Sequence, residues 1–191
     1  RRLTDVNGKA TLAVSGGTTP TLFFEKLSAV GIPWHKVTVT LVDERQVPET
    51  SDRSNARLVR AHLLKNRAAD ATFVPLFENP RAAALAPDVV ILGMGTDGHT
   101  ASFFPGGDTL AKALDPNGSD RLVELKASGA GEPRLTFTLP VLLAAGTRIL
   151  HIEGAGKQKV LDKAKGEGPV EEMPIRAFLR AAEPLTLYWC R

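Results

Sequence analysis

The stretch Asp88–Ser102, DVVILGMGTDGHTAS, runs an apolar strand directly into a glycine loop. Four consecutive apolar residues, Val89 to Leu92, read as a strand buried on both faces, which is the pattern of a parallel sheet covered by helices. Beyond it, Gly93, Gly95 and Gly98 have the spacing of a dinucleotide-binding turn. In such a turn the third glycine opens a long helix, and an acidic residue on the next strand holds the ribose. Here Pro105-Gly106-Gly107 comes within two turns of His99 and leaves no room for that helix. The residue after the last glycine carries an imidazole, a group that exchanges protons near neutral pH. The loop is therefore read for chemistry as much as for binding.

Outward from this stretch, short β-rich runs recur at residues 10–15, 37–42, 134–138, 148–153 and 185–190. Between them lie TPTLFFEKLSAVG, SNARLVRAHLLKN, PVLLAAG, KQKVLDKAK and PIRAFLRAA, several with apolar residues at helical spacing. The alternation predicts one doubly wound α/β domain over residues 1–191, its mainly parallel sheet covered by helices on both faces. Ligands in such folds sit beyond the carboxyl ends of the strands.

The 191 residues are 43% hydrophobic and 24% charged, enough to bury a large core. A net charge of +3 without a Lys/Arg block interleaved with aromatics argues against nucleic acid and suits an anionic small molecule. The lone cysteine, Cys190, excludes an internal disulfide framework and a cysteine-based metal cluster, and fits a reducing cytosol. No apolar run approaches the ~20 residues needed to span a bilayer, and the opening RRLTDVNGKA has no signal-peptide apolar region. A cytoplasmic protein with no membrane partner is expected.

Three strand ends carry unusual loops. Ser15-Gly16-Gly17-Thr18-Thr19-Pro20 can bring backbone close to an anion, with Thr18 or Thr19 capping a helix, or it can be an ordinary strand-to-helix turn. It is no Walker A loop, and GAGKQK at 154–159 lacks the hydroxyl that would hold magnesium. Asp43-Glu44-Arg45 reads in isolation as a solvated strand end; in a parallel sheet, Arg45 would open onto the same rim and could grip a phosphate or carboxylate with two hydrogen bonds. In the third loop, His99 is a base or a capping histidine, and Asp97 a partner or a turn residue. His35, His62 and His151 lack comparable company and read as structural, and no spaced His/Asp/Glu set suggests a metal.

Taken together, SGGTTP, DERQVP with Asp52-Arg53-Ser54-Asn55, GMGTDGHTASFFPGG and PRLTFTLPVLLAA resemble the 6-phosphogluconolactonase family, in the family's order from Ala13 to Ala145. The resemblance implies a fold shared with sugar-phosphate isomerases and deaminases. It also implies a carboxylic ester hydrolase that acts on 6-phosphogluconolactone in the oxidative pentose phosphate pathway; no cofactor or metal is expected, and a monomer is. It implies His99 as general base with Asp97 to orient it or to hold substrate hydroxyls, and Arg45, Arg134 and Lys157 around the phosphate. Gly16, Gly17, Thr18 and Asp43 would line the sugar pocket, and backbone N–H groups of the glycine loops would meet the oxyanion. The family places a helix before the first strand, so a truncated N-terminus is expected; ENPRAAALAP (78–87) is short for the family's helix there, and ASGAGEPRLT (127–136) lacks its proline-lysine run. A glucosamine-6-phosphate deaminase is the nearest alternative, but that family has a glutamate where Phe104 stands and a tyrosine in place of Arg45. A non-catalytic sugar-phosphate sensor on the same pocket is the alternative of another class.

Overall fold

The computed structural model describes residues 8–191. Along the chain run β1 (Ala10–Val14), α1 (Thr21–Ser28), β2 (Val37–Leu41), β3 (Asp43–Arg45), α2 (Asn55–His62), β4 (Thr72–Val74) and β5 (Val89–Leu92). They are followed by α3 (Leu110–Leu114), β6 (Leu122–Leu125), β7 (Arg134–Phe137), α4 (Leu139–Leu143), β8 (Thr147–Glu153), α5 (Gly154–Lys165), α6 (Arg176–Leu179) and β9 (Thr186–Cys190).

Six strands form one parallel sheet in the order β4-β2-β1-β5-β8-β9. The chain winds from β1 out to β2 and β4, returns to β5, and winds the other way to β8 and β9. Crossovers between parallel strands are as a rule right-handed, and with that hand a reversal of winding direction puts helices on opposite faces, the doubly wound arrangement. The direction reverses between β1 and β5, so the loops SGGTTP and GMGTDGH leave the sheet side by side at the switch point. Ser15 ties them: its N–H donates to the Ile91 carbonyl at 3.0 Å and its Oγ accepts from the Gly93 N–H at 3.1 Å.

The run at 134–138 corrects the sequence reading. β7 is not in the parallel sheet but at the centre of a second, antiparallel sheet, β3-β7-β6. Val42 is the pivot: its N–H donates to Val14 in the parallel sheet at 2.9 Å, and its carbonyl accepts from Phe137 at 3.1 Å. Consequently Asp43-Glu44-Arg45 is a paired strand rather than a solvated end, with Asp43 and Glu44 buried and Arg45 half-buried. The period of two sends Asp43 and Arg45 to one side and Glu44 to the other.

The threonine cap is a second correction. Pro20 occupies the N-cap of α1 and no side chain caps that helix; the capped helix is α2, where Ser54 accepts from Arg57 N at 3.2 Å. The core joins both layers through Val14, Val39, Leu41, Val90, Leu150 and Ile152 from the strands and Phe24, Val59, Leu142 and Leu161 from the helices. Among the described residues no helix is long and apolar enough to cross a membrane.

Candidate active site

A cavity of about 610 Å³ opens over the switch point, its wall built from all three sequence loops. Gly16, Gly17, Thr18, Asp43, Arg45, His99, Arg134 and Lys157 line it, so eight of the residues singled out in the sequence converge. Asp97 is not on the wall; it stands behind His99.

The glycine loop is shaped around that histidine. Gly98 has φ +82°, a left-handed conformation that glycine adopts without steric cost, and a Cβ there would meet Met173 Cε at 2.9 Å. A Cβ on Gly95 would overlap the His99 ring. The ring is held by a hydrogen bond between Nδ1 and Asp97 Oδ1 at 2.6 Å; the same oxygen accepts the His99 backbone N–H at 3.1 Å. Burial alone would raise the Asp97 pKa, but the hydrogen bonds and charge of His99 outweigh it and hold the carboxyl below its ordinary value. An ionised Asp97 accepts a hydrogen bond from Nδ1–H, which leaves Nε2 as the nitrogen with a lone pair. Phe104 stacks on the ring, centroids 4.1 Å apart and planes 27° from parallel.

Facing this pair are the cations of the antiparallel sheet. Arg45 and Arg134 are register partners on β3 and β7 and therefore share a face. Arg45 Nη1 donates to the Arg53 carbonyl at 2.7 Å and to Asn55 Oδ1 at 2.8 Å, while its Nε is enclosed without a partner among the described residues. Arg134 is 6% exposed; its Nη2 donates to the Ala130 carbonyl at 2.6 Å and its guanidinium lies 5.2 Å from the Phe104 ring centroid. Burial pulls its pKa down, and Asp43, 3.9 Å away, works in the opposite direction. Lys157, in the first turn of α5, reaches Thr19 Oγ1 at 3.4 Å, and burial lowers its pKa against the pull of Glu153.

Asp43 also accepts from the buried Ser102 hydroxyl at 2.6 Å, which fixes β3 to the histidine loop. Glu44, 1% exposed, turns away from the cavity. Its carboxylate accepts from Arg45 N at 2.7 Å, Asn55 N at 2.8 Å, Ala56 N at 2.7 Å and Ser54 Oγ at 3.1 Å, holding the start of α2. Burial raises its pKa despite these donors.

Three site residues escape the sequence reading. Asn55 stands in the sequence only as part of a motif; the S-N pair marks a helix start, and nothing local says that its carboxamide reaches Arg45. His151 alternates within its strand as expected, yet it too lines the cavity, edge-on to Phe23 at 5.7 Å. Ser102 becomes visible only through its partner 59 positions away. His62, by contrast, bonds Glu25 at 3.1 Å on the surface, away from the site.

A parallel sheet with a histidine–carboxylate pair and converging cations at its switch point defines an α/β protein built to act on a small anionic ligand. The chain belongs to the family described as glucosamine-6-phosphate isomerases/6-phosphogluconolactonase, whose model matches residues 1–189. The 6-phosphogluconolactonase of Rhizobium meliloti is 56% identical over 95% of this chain and 85% of that protein, and that of Pseudomonas aeruginosa is 44% identical over 95% and 82%. The crystal structure of a 6-phosphogluconolactonase from Shewanella baltica matches with a TM-score of 0.88 at 39% identity, covering 98% of this chain and 86% of that one.

Proposed function

We propose that this chain hydrolyses 6-phospho-D-glucono-1,5-lactone to 6-phosphogluconate, the lactone step of the oxidative pentose phosphate pathway. The observation that carries the reading is the Asp97–His99 pair on a cavity whose wall also bears Arg45, Arg134 and Lys157. His99 Nε2 takes a proton from water as the water oxygen bonds to C1 of the lactone. Negative charge develops on the carbonyl oxygen, the bond from C1 to the ring oxygen breaks, and the imidazolium returns its proton to that leaving oxygen. The ionised Asp97 stabilises the imidazolium in between. Arg45, Arg134 and Lys157 hold the phosphate, and Asp43 serves by fixing Arg134 and Ser102.

Hydrogen-bond accounting narrows the oxyanion donors. The N–H groups of Gly93, Gly95, Gly98 and His99 are already used, on Ser15 Oγ, the His99 carbonyl, the Gly95 carbonyl and Asp97 respectively. Within the cavity lining this favours Gly16, Gly17 and Thr18 for substrate oxygens.

A deaminase reading is disfavoured by Phe104, whose ring stacks on His99 where that chemistry needs a glutamate. The test is turnover of freshly generated lactone, coupled to a nicotinamide-dependent 6-phosphogluconate dehydrogenase and measured above spontaneous hydrolysis. Catalysed hydrolysis is expected. Thermal stabilisation by 6-phosphogluconate without turnover would replace the enzyme reading with a sensor.

A further inference from the structure

We propose that Asn55 is a positioning residue that presents Arg45 to the substrate phosphate, an inference that rests on the anchoring role proposed for Arg45. Asn55 is 3% exposed and opens α2, with its own N–H fixed by Glu44 Oε1 at 2.8 Å. Its carboxamide is used at both ends: Nδ2 donates to the Asp43 carbonyl at 2.9 Å, and Oδ1 accepts from Arg45 Nη1 at 2.8 Å. One amide thus joins the first residue of β3 to the guanidinium of the last. The fit continues on the other side, because any Cβ on Gly16 would overlap this carboxamide. The lack of a side chain at Gly16 therefore makes room for Asn55 as well as for a ligand.

Both protein acceptors of Arg45, Asn55 Oδ1 and the Arg53 carbonyl, take Nη1. This leaves Nη2 as the accessible Arg45 nitrogen without a protein acceptor among the described residues, while Nε is enclosed. Nη2 is then the nitrogen left to donate to a phosphate oxygen. The acceptor is neutral, so Arg45 is steered without losing its charge to an ion pair. A carboxylate at position 55 would compete with the phosphate for the same guanidinium.

The test is steady-state kinetics on the phosphorylated lactone for the wild type, Asn55→Ala, Arg45→Ala, the double variant and Asn55→Asp. Asn55→Ala is expected to raise KM about tenfold, the scale of one charge-assisted hydrogen bond, with kcat within about threefold of wild type. The double variant should be no worse than Arg45→Ala alone, since a residue acting through Arg45 then has nothing to act on. Asn55→Asp keeps the size and should raise KM comparably through competition, which leaves a readout if the alanine variant does not fold. A wild-type KM in Asn55→Ala or Asn55→Asp while Arg45→Ala raises KM would overturn the inference and leave the anchor standing. So would effects of Asn55→Ala and Arg45→Ala that multiply in the double variant, or a fall in kcat at constant KM. If Arg45→Ala itself leaves KM unchanged, the anchoring role fails first and the inference falls with it.

Discussion

Asp97→Asn isolates one electrostatic contribution in the proposed mechanism. Both His99 donors, Nδ1 and the backbone N–H, converge on a single oxygen, Asp97 Oδ1. The carbonyl oxygen of an asparagine can accept both, so the ring orientation and tautomer survive and only the charge is lost. During attack that charge faces an imidazolium whose centre is roughly 4 Å from the carboxylate, where two unit charges interact by about 4 kcal/mol at an effective dielectric of 20. The Asp97 side chain is 47% exposed, and solvent screening reduces this to about 2 kcal/mol. The expected loss is therefore about thirtyfold in kcat, with KM within about twofold because Asp97 does not touch the cavity. Asp97→Ala, which also frees the tautomer, should cost more than Asp97→Asn. The coupled lactone assay reads both. A rise in KM at unchanged kcat would refute the reasoning and assign Asp97 to substrate hydroxyls instead. Stability gives an independent check. A carboxyl whose folded pKa is depressed contributes stability above its unfolded pKa and loses it as pH falls through the folded value. The Tm gap between wild type and Asp97→Asn should thus be widest near neutrality and close below about pH 4.

Lys157→Ala should raise KM for the phosphorylated lactone at least tenfold, by roughly the strength of a charge-assisted contact, and barely alter turnover of unphosphorylated gluconolactone; equal losses on both substrates would point to a structural role. Because burial lowers the Lys157 pKa, the cation is lost at lower pH than in an ordinary lysine, so KM should climb on the alkaline side. Lys157→Arg should delay that climb, as guanidinium stays charged. Gly98→Ala combines a φ of +82° with a Cβ 2.9 Å from Met173 Cε and should cost about 2 kcal/mol, seen as a Tm lower by roughly 4–8 °C; an unchanged Tm would contradict the steric account. Glu44→Gln replaces an oxygen that accepts Ala56 N and Ser54 Oγ with a donor, and denaturant unfolding should report a loss of about 1–3 kcal/mol.

The parallel sheet and the histidine loop are legible in the sequence because their signals are local. Val89–Leu92 is apolar on every position, and Pro105-Gly106-Gly107 restricts the backbone within a few residues of His99. The antiparallel sheet is not legible, since Asp43, Glu44 and Arg45 become a strand, the first two of them buried, only through distant partners. Asp43 is satisfied by Ser102, Glu44 by the start of α2, and Val42 by Val14 and Phe137 in two different sheets. Each charge taken alone would favour solvent. The same holds for Asn55, whose cost of burial is met by Arg45 and the Asp43 carbonyl. His151 shows the remaining limit: alternation identifies its strand, but whether the ring meets core or cavity depends on where β8 ends relative to the switch point.

The proposed mechanism rests on His99 as the base. Its most direct test measures kcat for lactone hydrolysis in His99→Ala beside the Kd for 6-phosphogluconate in the same preparation. A kcat lower by about two to four decades is expected, with the product Kd within about threefold of wild type. Near wild-type kcat across neutral pH would contradict it.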